Sequence, residues 1–333
     1  MTQASRKPFA LLWTAALWIA AAFAMGAAMT APSPVRAQMT DLKIIAPAAP
    51  GGGWDQTARA MQEVMQGAGI ARDIQVRNIA GAGGTVGLAQ FVTGFKANPK
   101  ALMVGGLVMV GAIQTNKSPV SLDQVTPIAR LTGEYQAIVV PAQSGIGSLK
   151  ELLERFKTDP GSVSWGGGSA GGTDHIMVGL LAKEIGVDPR RVNYIPFSGG
   201  GEAMAALLGN HVTAGVSGWG EFAAQVQAGK LRALAVSAPK RVPGIDVPTL
   251  REQAVNLELT NWRGVVAPPG LTPEARQALT DAVAAMAKSP AWGTLLKSRQ
   301  WMDLYQGPDD FAAFLKVDRA RVETVLRDIG LVQ

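Results

Sequence analysis

Cysteine is absent from the 333 residues. That excludes disulfide scaffolds, thiolate metal sites and cysteine nucleophiles. Only two histidines are present, too few for histidine-rich metal chemistry, and neither metal nor cofactor is expected. Charged residues make up 17%, against roughly 25% in an ordinary soluble domain, whereas 47% are hydrophobic. So much apolar side chain excludes a disordered chain. The 39 glycines and 20 prolines follow no Gly-X-Y period, which excludes collagen; they punctuate many short elements. The net charge of +6 comes from scattered basic residues, without the clustering that nucleic-acid binding needs.

Long apolar runs are confined to one place, the N-terminus. Arg6 and Lys7 precede a nearly uncharged stretch from Pro8 to Val35, and Val35-Arg36-Ala37 forms a cleavage pattern before Gln38. Residues 1–37 read as a signal peptide cleaved near Ala37, placing the mature protein in a periplasm. The apolar body is also long enough to span a bilayer, so an uncleaved anchor is the alternative. The removed segment carries Arg6, Lys7 and Arg36 and no acid, so cleavage lowers the charge to +3.

Beyond Gln38, short apolar runs alternate with amphipathic stretches. Strands are expected at Leu42–Ala46, Ile74–Asn78, Ala101–Val104, Ala137–Val140, Ser162–Trp165, Val192–Ile195, Val212–Val216, Leu231–Val236 and Val265–Ala267. A capping box at Ser148–Glu151 opens one helix. Thr272-Pro273-Glu274 opens another, and a last helix spans 308–328, followed by Gly330. This alternation predicts an α/β protein with mostly parallel sheets. The block from Ala137–Pro141 to Pro239–Pro248 makes one domain, and the flanking segments make a second. The expected lobes are 38–140 with 260–333, and 141–259.

Glycine-rich turns recur between strand and helix. Pro47–Asp55 exposes bare backbone N–H groups at Gly51, Gly52 and Gly53 where a helix begins, an arrangement that attracts anions; its alternative is a plain turn capped by Asp55. Ala80–Gly87 is a second such turn, with no following lysine to make a phosphate loop. Trp165–His175 is a third. It matches the dinucleotide fingerprint formally, but the next strand ends in Pro196-Phe197-Ser198 rather than an acid. It also matches a nucleophile elbow around Ser169, yet no histidine follows His211; a secreted serine hydrolase is the distant alternative. Tyr194–Glu202 is the fourth turn. His175 reads as a ligand donor or as a residue bonding its own turn. His211 reads as structural, and Trp54 and Trp219 as cleft walls or as packing.

These turns resemble the periplasmic solute-binding proteins of tripartite tricarboxylate transporters. Pro47–Asp55 is similar to that family's Pro-x-x-Pro-Gly-Gly-x-x-Asp signature, and Gly168–His175 to its Gly-Ser-x-Gly loop. Tyr194–Val212 is similar to the members that bind citrate, while Ser217–Glu221 departs from the commoner dicarboxylate members. The resemblance implies a type II periplasmic-binding-protein fold, two α/β lobes joined by two crossover strands with the ligand cleft between them. It implies a monomeric binding protein, not an enzyme, that captures a small carboxylate and delivers it to transporter permease subunits or presents it to a sensor kinase. It places Gly51, Gly52, Gly53, Trp54 and Asp55 on one wall and Gly168, Ser169, Thr173 and His175 on the other. Gly83, Gly84 and Thr85 line the far end, with Phe197, Gly199, Gly200 and Trp219 nearby. No Arg or Lys lies inside any of the four turns, so backbone dipoles are expected to hold the anion.

Overall fold

The computed structural model describes residues 1–2, 39–197 and 200–332. The expected signal segment beyond Thr2, its cleavage site at Ala37, and Gly199 lie outside the described residues. From Lys43 onward the order is β1 (Lys43–Ala46), α1 (Gly53–Gly67), β2 (Gln75–Asn78), α2 (Thr85–Gly94), β3 (Ala101–Gly106), α3 (Leu107–Thr115) and β4 (Thr126–Pro141). Then come α4 (Leu149–Thr158), β5 (Ser164–Gly167), α5 (Thr173–Glu184), β6 (Asn193–Pro196), α6 (Gly200–Leu208), β7 (Ala214–Gly218), α7 (Trp219–Gln227) and β8 (Leu231–Val236). The chain ends through β9 (Thr260–Ala267), α8 (Pro273–Ala287), α9 (Pro290–Ser298), β10 (Met302–Gln306) and α10 (Pro308–Asp328).

Local chemistry accounts for most of these elements. In α1, Ala58, Met61, Val64 and Met65 recur at helical spacing and are buried. Ser148 Oγ accepts from the Glu151 N–H at 3.2 Å and opens α4. The Glu151 carboxylate accepts from the Gly147 N–H at 2.6 Å rather than from Ser148, so the expected capping box is half formed. Thr272 Oγ1 accepts from the Ala275 N–H at the start of α8, with Pro273 as its first residue.

The strands lie in the order β2-β1-β3-β9-β4-β7-β5-β6, and both β8 and β10 also pair with β4. β1 is parallel to β2 and β3, and β5 to β6 and β7. Every ladder made by β4 or β9 is antiparallel. The sheet is therefore mixed, which corrects the mostly parallel expectation. Strand–helix–strand units build parallel pairs locally, whereas β4 runs from one set of ladders into the other and β9, reached through residues 237–259, lies antiparallel to its first part.

β4 is 16 residues long, and only its end was expected. Its first part, through Tyr135, pairs with β9 and β10; from Gln136 onward it pairs with β7 and β8. The change of partners thus lies ahead of the boundary expected at residues 140 and 141. Arg130, Thr132 and Glu134 made the first part too polar to read as a strand. The second link between the halves, residues 237–259, is tied to β4 at this point. Buried Ser237 Oγ accepts from the Gln136 N–H at 2.9 Å and donates to Leu259 O at 2.6 Å.

Candidate functional site

Four strand-to-helix turns open onto one cleft of about 340 Å³. They are the turns before α1, α2, α5 and α6. The first three helices start without a side-chain cap. Their leading N–H groups have no partner within the helix, and each helix dipole puts partial positive charge at that end. The turn before α2 requires glycine, because Gly83 and Gly84 have φ of 61° and 89°. A Cβ on Gly84 would also come within 2.6 Å of the Trp54 ring.

Of the expected residues, Gly52, Gly53, Trp54, Gly83, Gly84, Gly168, Ser169, Thr173, Phe197 and Gly200 line this cleft. A hydrogen bond crosses between the walls where Thr173 Oγ1 on α5 donates to Asn261 Oδ1 on β9 at 3.2 Å. Five expected residues lie outside the lining. Gly51 has φ 84° and spends its N–H on Asp55 Oδ2 at 2.9 Å. Asp55 also accepts from Arg59 and Asn78. Burial works to raise its pKa, but the bonds from Arg59, Gly51 and Asn78 prevail and hold it below the usual value. Thr85 donates its hydroxyl to Ala82 O. Trp219 is buried and donates its indole N–H to Gln300.

His175 is the fifth. Its Nδ1 accepts from the Gly171 N–H at 3.2 Å, and its ring stacks on Tyr194 with centroids 4.1 Å apart. It serves its own turn, and no hydrogen bond joins Ser169 Oγ to either histidine among the described residues. Burial lowers the His175 pKa to about 4. An imidazole held neutral by the fold resists protonation, while the unfolded chain takes up the proton from about pH 6.5 downward. His175 should therefore take about 1–2 kcal/mol from stability between about pH 6.5 and 4, for this partly exposed ring, against the opposite contributions of Asp174 and Glu221, whose pKa values are raised. Urea titrations across that range should show the parent losing this much relative to His175→Gln. An equal step in both would assign it elsewhere.

The cleft also holds charged residues that the sequence reading did not place there. Arg263, on β9, is 2% exposed at its side chain and pairs with the equally buried Glu134 on β4. Its guanidinium packs against Gly53 and lies 5.1 Å from the Trp301 ring centre. Burial, and then the like charge of Arg299, pushes its pKa down to about 9, which leaves it cationic at neutral pH. Arg263 Nη1 is buried with no hydrogen-bond partner among the described residues, and Arg263 is one of the residues lining the cleft. Arg263 thus adds a cation, paired with Glu134, to a cleft in which backbone dipoles were expected to hold the anion. The available signal was a lone arginine in the run Trp262-Arg263-Gly264-Val265-Val266.

Asp174 and Glu221 line the same cleft. Asp174 accepts from the Gly168 N–H at 2.8 Å and from Gln136 Nε2 at 2.5 Å. Burial outweighs these bonds and raises its pKa to about 6. Glu221 accepts from Ser217 Oγ at 3.1 Å.

A family model for TctC, described as the tripartite tricarboxylate transporter family receptor, matches residues 57–331. The chain is 31% identical over 207 residues to the UPF0065 protein in the gbd 5' region of Cupriavidus necator, and the match spans 62% of each chain. Among solved structures, the periplasmic binding protein BugD has a TM-score of 0.80 at 23% identity, covering 88% of this chain and 98% of that one. MatC from Rhodopseudomonas palustris, solved with bound malate, has a TM-score of 0.76 at 24% identity, covering 88% and 99%. The fold is that of the periplasmic binding proteins, and the similar proteins are binding proteins rather than enzymes.

Proposed function

The chain belongs to the tripartite tricarboxylate transporter receptor family, a family of periplasmic solute-binding proteins, and from that premise we propose that it captures a small polycarboxylate in the cleft and delivers it to the transporter's permease. The observation that carries this reading is the meeting of uncapped helix N-termini with the buried Arg263 guanidinium in one cleft. A carboxylate gains about 1.5–3 kcal/mol from each charge-assisted hydrogen bond. Four or five such bonds, less the cost of ordering, reach about −8 kcal/mol, a micromolar affinity. Citrate is the favoured ligand, from the resemblance at Tyr194–Val212. Malate, bound in the similar MatC, is the dicarboxylate to test against it. The protein acts as a monomer in the periplasm, with residues 1–37 removed. Presentation of the ligand to a sensor kinase is the alternative role of the same cleft.

The ligand-contacting residues in this reading are Gly52, Gly53, Gly83, Gly168, Ser169, Thr173 and Arg263. The lobes close by rotating where β4 changes partners and along residues 237–259. A thermal-shift screen over di- and tricarboxylates tests the reading: citrate or malate should raise the melting temperature without turnover. No shift with any carboxylate would overturn it. Small-angle scattering with the ligand that binds should give a smaller radius of gyration than without it; identical curves would count against closure.

A further inference from the structure

Glu221 stands on the first turn of α7, where its carboxylate has an unusual set of neighbours. It accepts from Ser217 Oγ on β7, and the backbone N–H of Gly53, the first residue of α1, lies near enough to act on it and lower its pKa. It also presses on Gly200, the first residue of α6: a Cβ there would fall onto Glu221 Oε2. The chain's own carboxylate thus sits against the N-terminal ends of two helices in the cleft, where an anion is most favoured. It faces α1 from α7 across the opening. The buried Arg263 guanidinium, paired with Glu134, belongs to the same lining.

We propose that Glu221 is the specificity-determining residue of the cleft, an internal carboxylate that holds the seat at Gly53 and Gly200, so that a ligand carboxylate enters that seat only as Glu221 takes a proton from solvent. The proposal rests on the carboxylate-binding reading above. A neutral Glu221 gives up its claim on the helix ends and can donate its own O–H to the incoming oxygen. An ionised Glu221 would face the ligand as a like charge across a few ångströms of shielded space.

The surroundings favour that proton. Burial raises the Glu221 pKa to about 7, with the charge of Asp174 acting in the same direction and Ser217 and Gly53 against it. The charged groups on the elements around it include Asp174 on α5, Glu134 on β4, Arg263 on β9, Glu202 on α6, Asp55 on α1, Arg232 on β8 and Arg299 after α9. Glu134 and Arg263 neutralise each other, Asp55 is matched by Arg59, and Arg232 is held by Ile146 O. A bound anion raises the Glu221 pKa further. Binding therefore takes up a proton above about pH 7, and affinity falls by up to tenfold per pH unit there. Below pH 7 Glu221 is already neutral and the dependence levels off. Asp174, near 6, adds its own step only at lower pH.

The test is calorimetric titration of citrate and of malate into the parent, Glu221→Gln and Glu221→Ala, from pH 6 to 9, in two buffers of different ionisation enthalpy. The parent should bind more weakly as pH rises above 7 and take up close to one proton near pH 8. Both variants should bind at least tenfold more tightly than the parent at pH 8.5, with no such uptake. A flat parent profile, or variants at least tenfold weaker at every pH, would overturn the proposal; the second outcome would make Glu221 an acceptor for a ligand hydroxyl. A ligand-free measurement separates this from the functional reading. The Gly53 amide resonance should titrate with a midpoint near pH 7 in the parent and not in Glu221→Gln. If that holds while no carboxylate binds either protein, the functional reading fails and the seat assignment stands. A Gly53 amide that does not titrate removes Glu221 from the seat.

Discussion

Arg263→Met should lower the stability of the fold by about 3–5 kcal/mol. The reason lies less in the ion pair's own worth than in what its removal leaves. Arg263 and Glu134 stand on adjacent strands, β9 and β4, each 2% exposed at the side chain. A buried pair roughly recovers the solvation its charges gave up, so replacing both partners with apolar groups can be neutral. Removing the arginine alone strands the Glu134 carboxylate without water or counter-charge. The only escape is protonation, which costs more as pH rises. Arg263→Met should therefore be most harmful in alkaline solution, whereas Arg263→Met/Glu134→Leu should recover most of the loss. Arg263→Lys should recover only part, because an ammonium cannot replace the planar group that packs on both Gly53 and Trp301. Urea denaturation of the four proteins at pH 6 and pH 8.5 measures this. An Arg263→Met variant as stable as the parent would show that the pair does not hold the two crossover strands together.

Gly53→Val should lose at least a hundredfold in carboxylate affinity while still folding. Gly53 is the first residue of α1, a position where valine is acceptable to the backbone. Its obstacle is the Arg263 guanidinium, which occupies the place a Cβ would take. That guanidinium cannot withdraw, because Glu134 and Trp301 hold it. Valine would press against it, cover the α1 N-terminus and block the Gly53 N–H. A hundredfold loss corresponds to about 2.7 kcal/mol, and the accompanying overpacking should cost the fold about 1–3 kcal/mol. Gly168→Val is the matched control on the facing wall. There a Cβ would meet only Asp174 Oδ2, at 3.2 Å, so stability should change little and any weakening of binding would come from the cleft itself. Calorimetry with the ligand found in the screen decides. Parent-like affinity in Gly53→Val would mean that the ligand does not approach α1.

Much of this molecule was open to reading one residue at a time. The strand-to-helix turns announced themselves because a chain that must turn sharply and begin a helix without a side-chain cap needs glycine, and the positive φ of Gly83 and Gly84 is met at no steric cost only by that residue. Thr272 and Ser148 marked helix starts for an equally local reason: the hydroxyl and the N–H it satisfies are three residues apart. Trp219 and His175 were read two ways, and neighbours distant in sequence chose between them. Gln300 takes the indole N–H, and Tyr194 takes the face of the imidazole.

The sequence alone therefore determined most of the strands, the family resemblance and the turns that frame the cleft, since each depends on conformational preferences within a few residues. Only the tertiary structure decided the cleft's charge. Arg263 and Glu134 are 129 positions apart, and Glu221 meets Gly53 from the opposite half of the chain. A charged side chain on a strand or helix start carries no mark of whether it will face water or be enclosed. Enclosure is what turns it from a solvated surface group into a counter-ion with a shifted pKa, because the cost of desolvation and the reach of its field depend on every segment folded around it.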